Sequence, residues 1–383
     1  MLFAEQSRGQ SLLEAVDDYR ALVSKQGSYA DFGFHAIITN PSETVLEQEL
    51  PNLAQQGIMS MKLFLTYKHM RISDDQFLRA LLKAKELGMI ALVHAENGDL
   101  VDFFTEQLEA RGLTDPKYKA IAHPNAAEAE ATNRALTFSK VIDTPLLIVH
   151  VSVPESAKII RKVQDSLQPV FAETCPQYLL LGKSNLDQEH FCGAKFICSP
   201  PLRSEEKDVD AIWRGLINGT FTIFSSDHCP YRFTKTPNGL PGVETRLPLL
   251  YSEGVLRRKC IDIKRFIELT SENPAKLYGM YPKKGAIQIG SDADLVVWHA
   301  ASEFVPRPLQ HTRDLHDGCD YSPYEGIEFL NWPRITLLRG EVVFREGVIQ
   351  GWRGYGQFVK RGSSTLPMIR RMEKKWDVLL AAV

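Results

Sequence analysis

One pattern governs this chain from residue 34 to residue 227: short apolar runs, rich in β-branched residues, each followed by a longer polar-apolar stretch. The runs are FHAIIT (34–39), MKLFLT (61–66), MIALVHAE (89–96), PLLIVHVS (145–152), PVFAETC (169–175) and TFTIFSSD (220–227). Runs that are apolar at nearly every position belong to strands buried on both faces, and the stretches between them carry helix spacing, as in DDQFLRALLKAKELG closing on Gly88. Strands alternating with helices make a parallel sheet, either covered on both faces or closed into a barrel. A barrel gathers its chemistry at the C-terminal ends of its strands. Those ends hold His94, His150, Glu173 and Asp227.

Beyond Asp227 the rhythm changes. A Pro/Gly loop, YRFTKTPNGLPG, leads to two helices near 247–257 and 262–270. GAIQIGSDADLVVW and RITLLRGEVVFREGVIQG then read as short antiparallel strands with turns at Gly290 and Gly340. These signals place a small β module at 282–350. They leave a tail over 351–383, with FVKRG and IRRMEKKW of mixed charge, that is expected on a surface or against a neighbouring subunit.

The 45 basic and 47 acidic side chains leave a formal charge of −2, which gives no global attraction to nucleic acid or to an anionic membrane. No apolar stretch approaches the length of a membrane span, and the opening MLFAEQSRGQ lacks an export leader. The six cysteines include no C-x-x-C pair, so reduced thiols in a cytoplasmic protein are expected.

Lys62 breaks the pattern from within. It sits between Met61 and Leu63 in a run that reads as a buried strand, where an ammonium is costly unless it is paired, neutralised or chemically altered. Imidazole and carboxylate groups converging from strand ends suit zinc or a similar divalent ion. Charged lysine does not belong in such a set. A neutral lysine amine can take up carbon dioxide to become a carbamate, an oxygen ligand able to bridge two ions.

The segments SMKLFLTYK, VHAENGDLV, VHVS, AETCPQYLLL, SPPLR, SSDHCP, PNGLPGVETRLPLLYSEGV, NPAKLYGMYPKKGAIQIGSDADLVVW and DYSPYEG run in order over nearly the whole chain. Together they resemble the dihydropyrimidinase and hydantoinase family of the amidohydrolase superfamily. The resemblance implies a (β/α)8 barrel of TIM type with a small β-sandwich, two zinc ions per subunit, a homotetramer, and hydrolytic opening of a cyclic ureide or imide such as 5,6-dihydrouracil. By the same resemblance Lys62 is the carboxylated bridging lysine (N6-carboxylysine), His94 and His150 are ligands of one metal, and Asp227 is a ligand of the other. Asp227 is also the implied general base and then acid, Tyr67 the donor to the developing oxyanion, and Ser199 and Asn238 the holders of the ring amide.

Two departures qualify the expectation. Family members carry a His-x-His pair on the first barrel strand, and none of the ten histidines here, at 35, 69, 94, 123, 150, 190, 228, 299, 311 and 316, is two residues from another. The segment between Asp227 and Asn238 is also shorter than the family loop. The expected fold is therefore α/β, an incomplete barrel over 1–281 that lacks its first strand and part of its second, with MLFA as the end of the second, followed by the remnant β-sandwich module at 282–350. At most one well-held zinc and weakened activity are expected. The rival readings are an allantoinase-like or dihydroorotase-like amidase and a non-catalytic scaffold related to dihydropyrimidinase. His35, His123 and His228 are expected to be structural or to support ligands, Glu128 and Glu130 to serve a helix and its ion pairs, and the cysteines not to act as nucleophiles.

Overall fold

The structure is a computed structural model that describes residues 1–235 and 238–366. Seven parallel strands lie side by side in chain order: β1 Leu2–Glu5, β2 Phe34–Ile37, β3 Ser60–Phe64, β4 Ile90–His94, β5 Leu146–Ile148, β6 Val170–Thr174 and β7 Ile223–Phe224. Six are the apolar runs of the sequence pattern, and β1 is the opening MLFA segment, paired residue for residue with β2 from Leu2–Phe34 to Glu5–Ile37. The sheet is that of a TIM-type barrel. Among the described residues its ladder runs from β1 to β7 without joining those two strands to each other.

Alternation along the strands decides what faces where. Met61, Leu63, Ala91, Val93, Leu146, Ile148, Val170 and Ala172 pack outward into one large core with the surrounding helices. Ile90, Leu92, Leu147, Val149, Phe171 and Ile223 fill a second core with Leu277 and Tyr278, inside the curve of the sheet. Because successive side chains point to opposite faces, Lys62, between two outward residues, points inward with Ser60 and Phe64. Register puts Lys62 level with Leu92, Leu147 and Phe171, and Glu173 one inward position further along β6. Apolar layers thus close the lower interior, and polar groups begin where the strands end.

The helix Asp74–Leu87 shows why the connections hold. Ser73 and Gln76 form a capping box at its start, and Gly88 ends it in the left-handed region at φ 65°. The helix Leu12–Gln26 lies outside the pattern read from residue 34 onward, yet Ser11 caps it by accepting from the Leu13 and Glu14 amides. No described helix is long and apolar enough to cross a membrane.

The module that follows is one antiparallel sheet in the order β13 Val348–Ile349, β12 Glu341–Arg345, β11 Pro333–Leu338 and β8 Leu295–Trp298, beside a two-stranded ribbon, β9 Arg307–Pro308 with β10 Glu328–Phe329. Arg339 (φ 48°) and Gly340 (φ 89°) make the tight turn expected at Gly340. The turn expected at Gly290 (φ 93°) also forms, but the strand expected before it does not: AIQIG is not a strand. Ile287 and Ile289 stand exposed, and no described strand pairs with them, so their β-branched chemistry had no ladder to join.

Lys284 ties the module to the barrel, with its Nζ 2.6 Å from Asp31, 2.5 Å from Asp294 and 2.9 Å from Asp292, while Arg339 pairs with the other oxygen of Asp31. The start of the tail runs under the strands' N-terminal ends, where Phe32 donates to Gln357 O, Val359 to Phe32 O and Arg361 to Gly57 O. Gly57 is required there, since a Cβ would come within 2.3 Å of Lys360 Cγ. IRRMEKKW and the rest of 367–383 lie outside the described residues.

Candidate active site

Lys62, His94, His150 and Asp227 all lie at the C-terminal mouth of the sheet. Lys62 is buried, with its Nζ 5.2 Å from the Phe64 ring and 5.6 Å from the Phe3 ring, and no carboxylate lies within ion-pair distance among the described residues. Burial pushes its pKa below the ordinary lysine range, against the pull of Glu173 and then Asp227. Burial pushes the Glu173 carboxyl upward, opposed mainly by the charge of Lys62. Asp227 is raised by burial too, opposed by Lys62 and His94. One amine and two carboxyls therefore share a site, with Lys62 and Glu173 buried and Asp227 half-buried, in which each is biased toward its neutral form.

The two histidines lie together, each with one ring nitrogen free of a hydrogen-bond partner among the described residues. Their rings meet edge to face at 4.5 Å, and His94 Nε2 lies 2.8 Å from Glu96 Oε2, which leaves Nδ1 uncommitted. His150 Nδ1 is buried with no partner among the described residues. Burial lowers both imidazoles, with Glu96 opposing at His94, and His94 and Lys62 adding to the effect at His150. Neutral imidazole is the form that binds metal.

Tyr67, Ser199 and Asn238 form a second group. Ser199 Oγ donates to Asn238 Oδ1 at 3.3 Å, and both side chains lie near enough to the Tyr67 hydroxyl to oppose the rise in its pKa. The Tyr67 ring lies 5.4 Å from that of His94, and burial raises its phenol so that it keeps its proton. Tyr67, His150 and Asp227 have φ of 66°, 41° and 45°, a left-handed backbone that costs non-glycine residues energy.

A match to the model of the amidohydrolase family covers residues 66–343. The chain belongs to the amidohydrolase family. Members of this family are generally metal-dependent. A D-hydantoinase of Ralstonia pickettii is 40% identical over 371 residues, covering 94% of this chain and 79% of that protein, and a D-phenylhydantoinase of Escherichia coli O1:K1 / APEC is 37% identical over 373 residues, covering 94% and 78%. Among solved structures, a dihydropyrimidinase from Brevibacillus agri NCHU1002 superposes with a TM-score of 0.90 at 38% identity, covering 96% of this chain and 81% of that one.

The family's metal dependence can be tested against the donors in place. Among the described residues only Asp31, Asp292 and Asp294 bring three His, Cys, Asp or Glu donor atoms within 4.8 Å of one another, and Lys284 already neutralises that group. At the mouth the donors instead form two half-sets around Lys62, the His94–His150 pair on one side and Asp227 with Glu173 on the other. Free nitrogen lone pairs on two neighbouring histidines and protonation biased toward neutrality fit the binding of a divalent ion.

Other groups take ordinary roles. His35 is bonded to Ser60 Oγ at 2.6 Å, and His228 Nδ1 accepts from the Gly242 and Val243 amides. Glu130 pairs with Arg134 one helical turn on, while Glu128 accepts from the Ser152 amide and pairs with Arg203. Burial pushes the Cys175 and Cys229 thiols upward, away from thiolate. Sequence reasoning passed over Glu96 and named Glu173 at a strand end without giving it a role. Glu173 stood in view at a strand end, and its place beside Lys62 follows from inward alternation. Glu96, two residues past His94, offered the same signal.

Proposed function

We propose that this chain is a metal-dependent cyclic amidase that opens hydantoin or dihydropyrimidine rings, with zinc held by His94, His150 and a carboxylated Lys62. The observation that carries this reading is the juxtaposition of the edge-to-face His94–His150 pair with the Tyr67 ring, 5.4 Å from His94, and the hydrogen-bonded Ser199 and Asn238 near its hydroxyl. D-hydantoinase and dihydropyrimidinase are the names of its relatives. When bound, the ion supplies Lewis acidity and lowers the pKa of water.

The side chains do the rest. Asp227, raised by burial, accepts the proton of the attacking water as oxygen bonds to the ring carbonyl carbon, then returns it to the ring nitrogen as the C–N bond breaks. Tyr67 donates its O–H to the carbonyl oxygen as negative charge grows there. Backbone groups at Ser199 and Asn238 hold the ring amide so that its carbonyl faces Tyr67.

With no His-x-His in the chain, the ion on the Asp227 side has few protein ligands, so one well-held zinc per chain is expected. The assembly proposed is a homotetramer. The deciding experiment couples a metal count with ring-opening assays on 5,6-dihydrouracil, a 5-substituted hydantoin and allantoin. Hydrolysis of either of the first two by zinc-loaded protein supports the reading; folded, zinc-loaded protein that leaves all three rings intact overturns it, and two tightly retained ions would contradict the single-site expectation.

A further inference from the structure

Glu96 is fully buried and bonds two histidines at once. Its Oε2 lies 2.8 Å from His94 Nε2 and its Oε1 lies 2.9 Å from His123 Nδ1. His123 is itself fixed: its amide donates to Lys119 O at 3.1 Å, and its carbonyl accepts from Arg203 Nη1 at 2.5 Å. Arg203 is anchored in turn by Ser152 Oγ at 2.9 Å and Glu128 at 3.3 Å. Glu96, His94, His123, Arg203, Ser152 and Glu128 are all buried.

An ionised carboxylate only accepts hydrogen bonds, so each ring nitrogen facing Glu96 must carry a proton. A neutral imidazole carries one proton, and if Nε2 of His94 holds it, the lone pair is on Nδ1. The opposite tautomer would set a nitrogen lone pair against a carboxylate oxygen at 2.8 Å with no proton between them. We propose that Glu96 is a positioning residue that fixes His94 as its Nε2–H tautomer and so selects Nδ1 as the nitrogen offered to the metal, with His123 and Arg203 bracing Glu96. The metal part of this proposal rests on the function proposed above; the tautomer part does not.

The two parts are separable by measurement. In histidine-labelled wild-type protein stripped of metal, nitrogen NMR is expected to show His94 as the Nε2–H tautomer, with the signal assigned by its loss in H94N. An Nδ1–H tautomer overturns the proposal whether or not the protein binds zinc. In chelator-competition titrations, E96Q is expected to hold zinc about 10 to 100 times more weakly than wild type, the usual range for loss of a partner behind a ligand histidine. H123A should weaken binding less, and H123N, which restores a donor near Nδ1, should recover most of it. Wild-type affinity in folded E96Q overturns the proposal, and should E96Q fail to fold, wild-type affinity in H123A does so. Wild-type protein that takes up no zinc sinks the function proposed above, and the tautomer then decides this inference alone.

Discussion

Two clusters in this molecule are built from the same parts, one lysine among acidic side chains, and they behave oppositely. Around Lys284 three aspartates lie within 2.9 Å, and Arg339 pairs with Asp31 as well. Burial would lower the Lys284 pKa, but the bonds to Asp294, Asp31 and Asp292 outweigh it and raise the value. Around Lys62 the carboxyls of Glu173 and Asp227 act without direct pairing, burial dominates, and the amine is pushed downward. The first arrangement is a satisfied charge cluster that joins two parts of the fold. The second leaves an amine and two carboxyls short of partners, as expected of groups arranged for something that binds among them.

The comparison breaks most sharply at the two lysines. Replacing Lys62 with Met is expected to lower ring-opening activity by about a thousandfold or more, since an ion bound there supplies several kcal/mol to the transition state. In metal-free protein its thermal midpoint should hold or rise, because removing a poorly paired buried charge in favour of an apolar group is neutral to stabilising. A midpoint drop as large as that of a Lys284 variant would mean that Lys62 is structural and that the contrast is false. Next in size is Tyr67→Phe, which keeps the ring packing against His94 but removes the donor. We expect kcat to fall about a hundredfold to a thousandfold with zinc retained, and an unchanged kcat would remove Tyr67 from the chemistry.

Lys284→Met probes the other side. It leaves Asp31, Asp292 and Asp294 crowded without their shared cation, and a loss of about 2 kcal/mol is expected, less than for a fully buried pair because the cluster is partly open to water. Denaturant unfolding would register this as a lower midpoint, while activity per folded molecule stays near wild type. A large loss of activity at full stability would tie the clamp to the active site and undo the distinction drawn here.

The two clusters were unequally legible in the sequence. Lys62 announced itself because period-two alternation makes an inward ammonium in a buried strand conspicuous, and His94, His150 and Asp227 sat at the ends of equally clear runs. The Lys284 clamp gave no such signal: Asp31 lies 253 residues from Lys284, and nothing periodic links them. His123 was expected to be structural or to support a ligand, but its partner was not legible, since a connection between helices rather than a strand brings it to Glu96. AIQIG misled in the opposite sense, since its residues favour strands but strand formation needs a neighbour to pair with. Local pattern carried what the barrel repeats, and whatever depended on one distant contact had to be seen.

The smallest effect sharpens the contrast between histidines. His94 and His150 are held neutral, whereas both ring nitrogens of His316 face acceptors, Nδ1 at 2.8 Å from Glu244 Oε1 and Nε2 at 2.9 Å from Gly347 O. Such a ring is satisfied only as imidazolium. Burial works against that charge, but Glu244 prevails and the His316 pKa is raised. A raised folded pKa means that the clamp's stabilisation is fully present below the unfolded value of about 6.5 and is lost as pH rises through the folded value. For a partly exposed pair the amount is about 0.5 kcal/mol, and it shrinks in high salt. His316→Gln should therefore melt below wild type at pH 6 and draw level with it by about pH 8.5. A gap that stays constant across that range would mean that His316 acts by packing alone, and that the neutral histidines at the mouth have no charged counterpart on the surface.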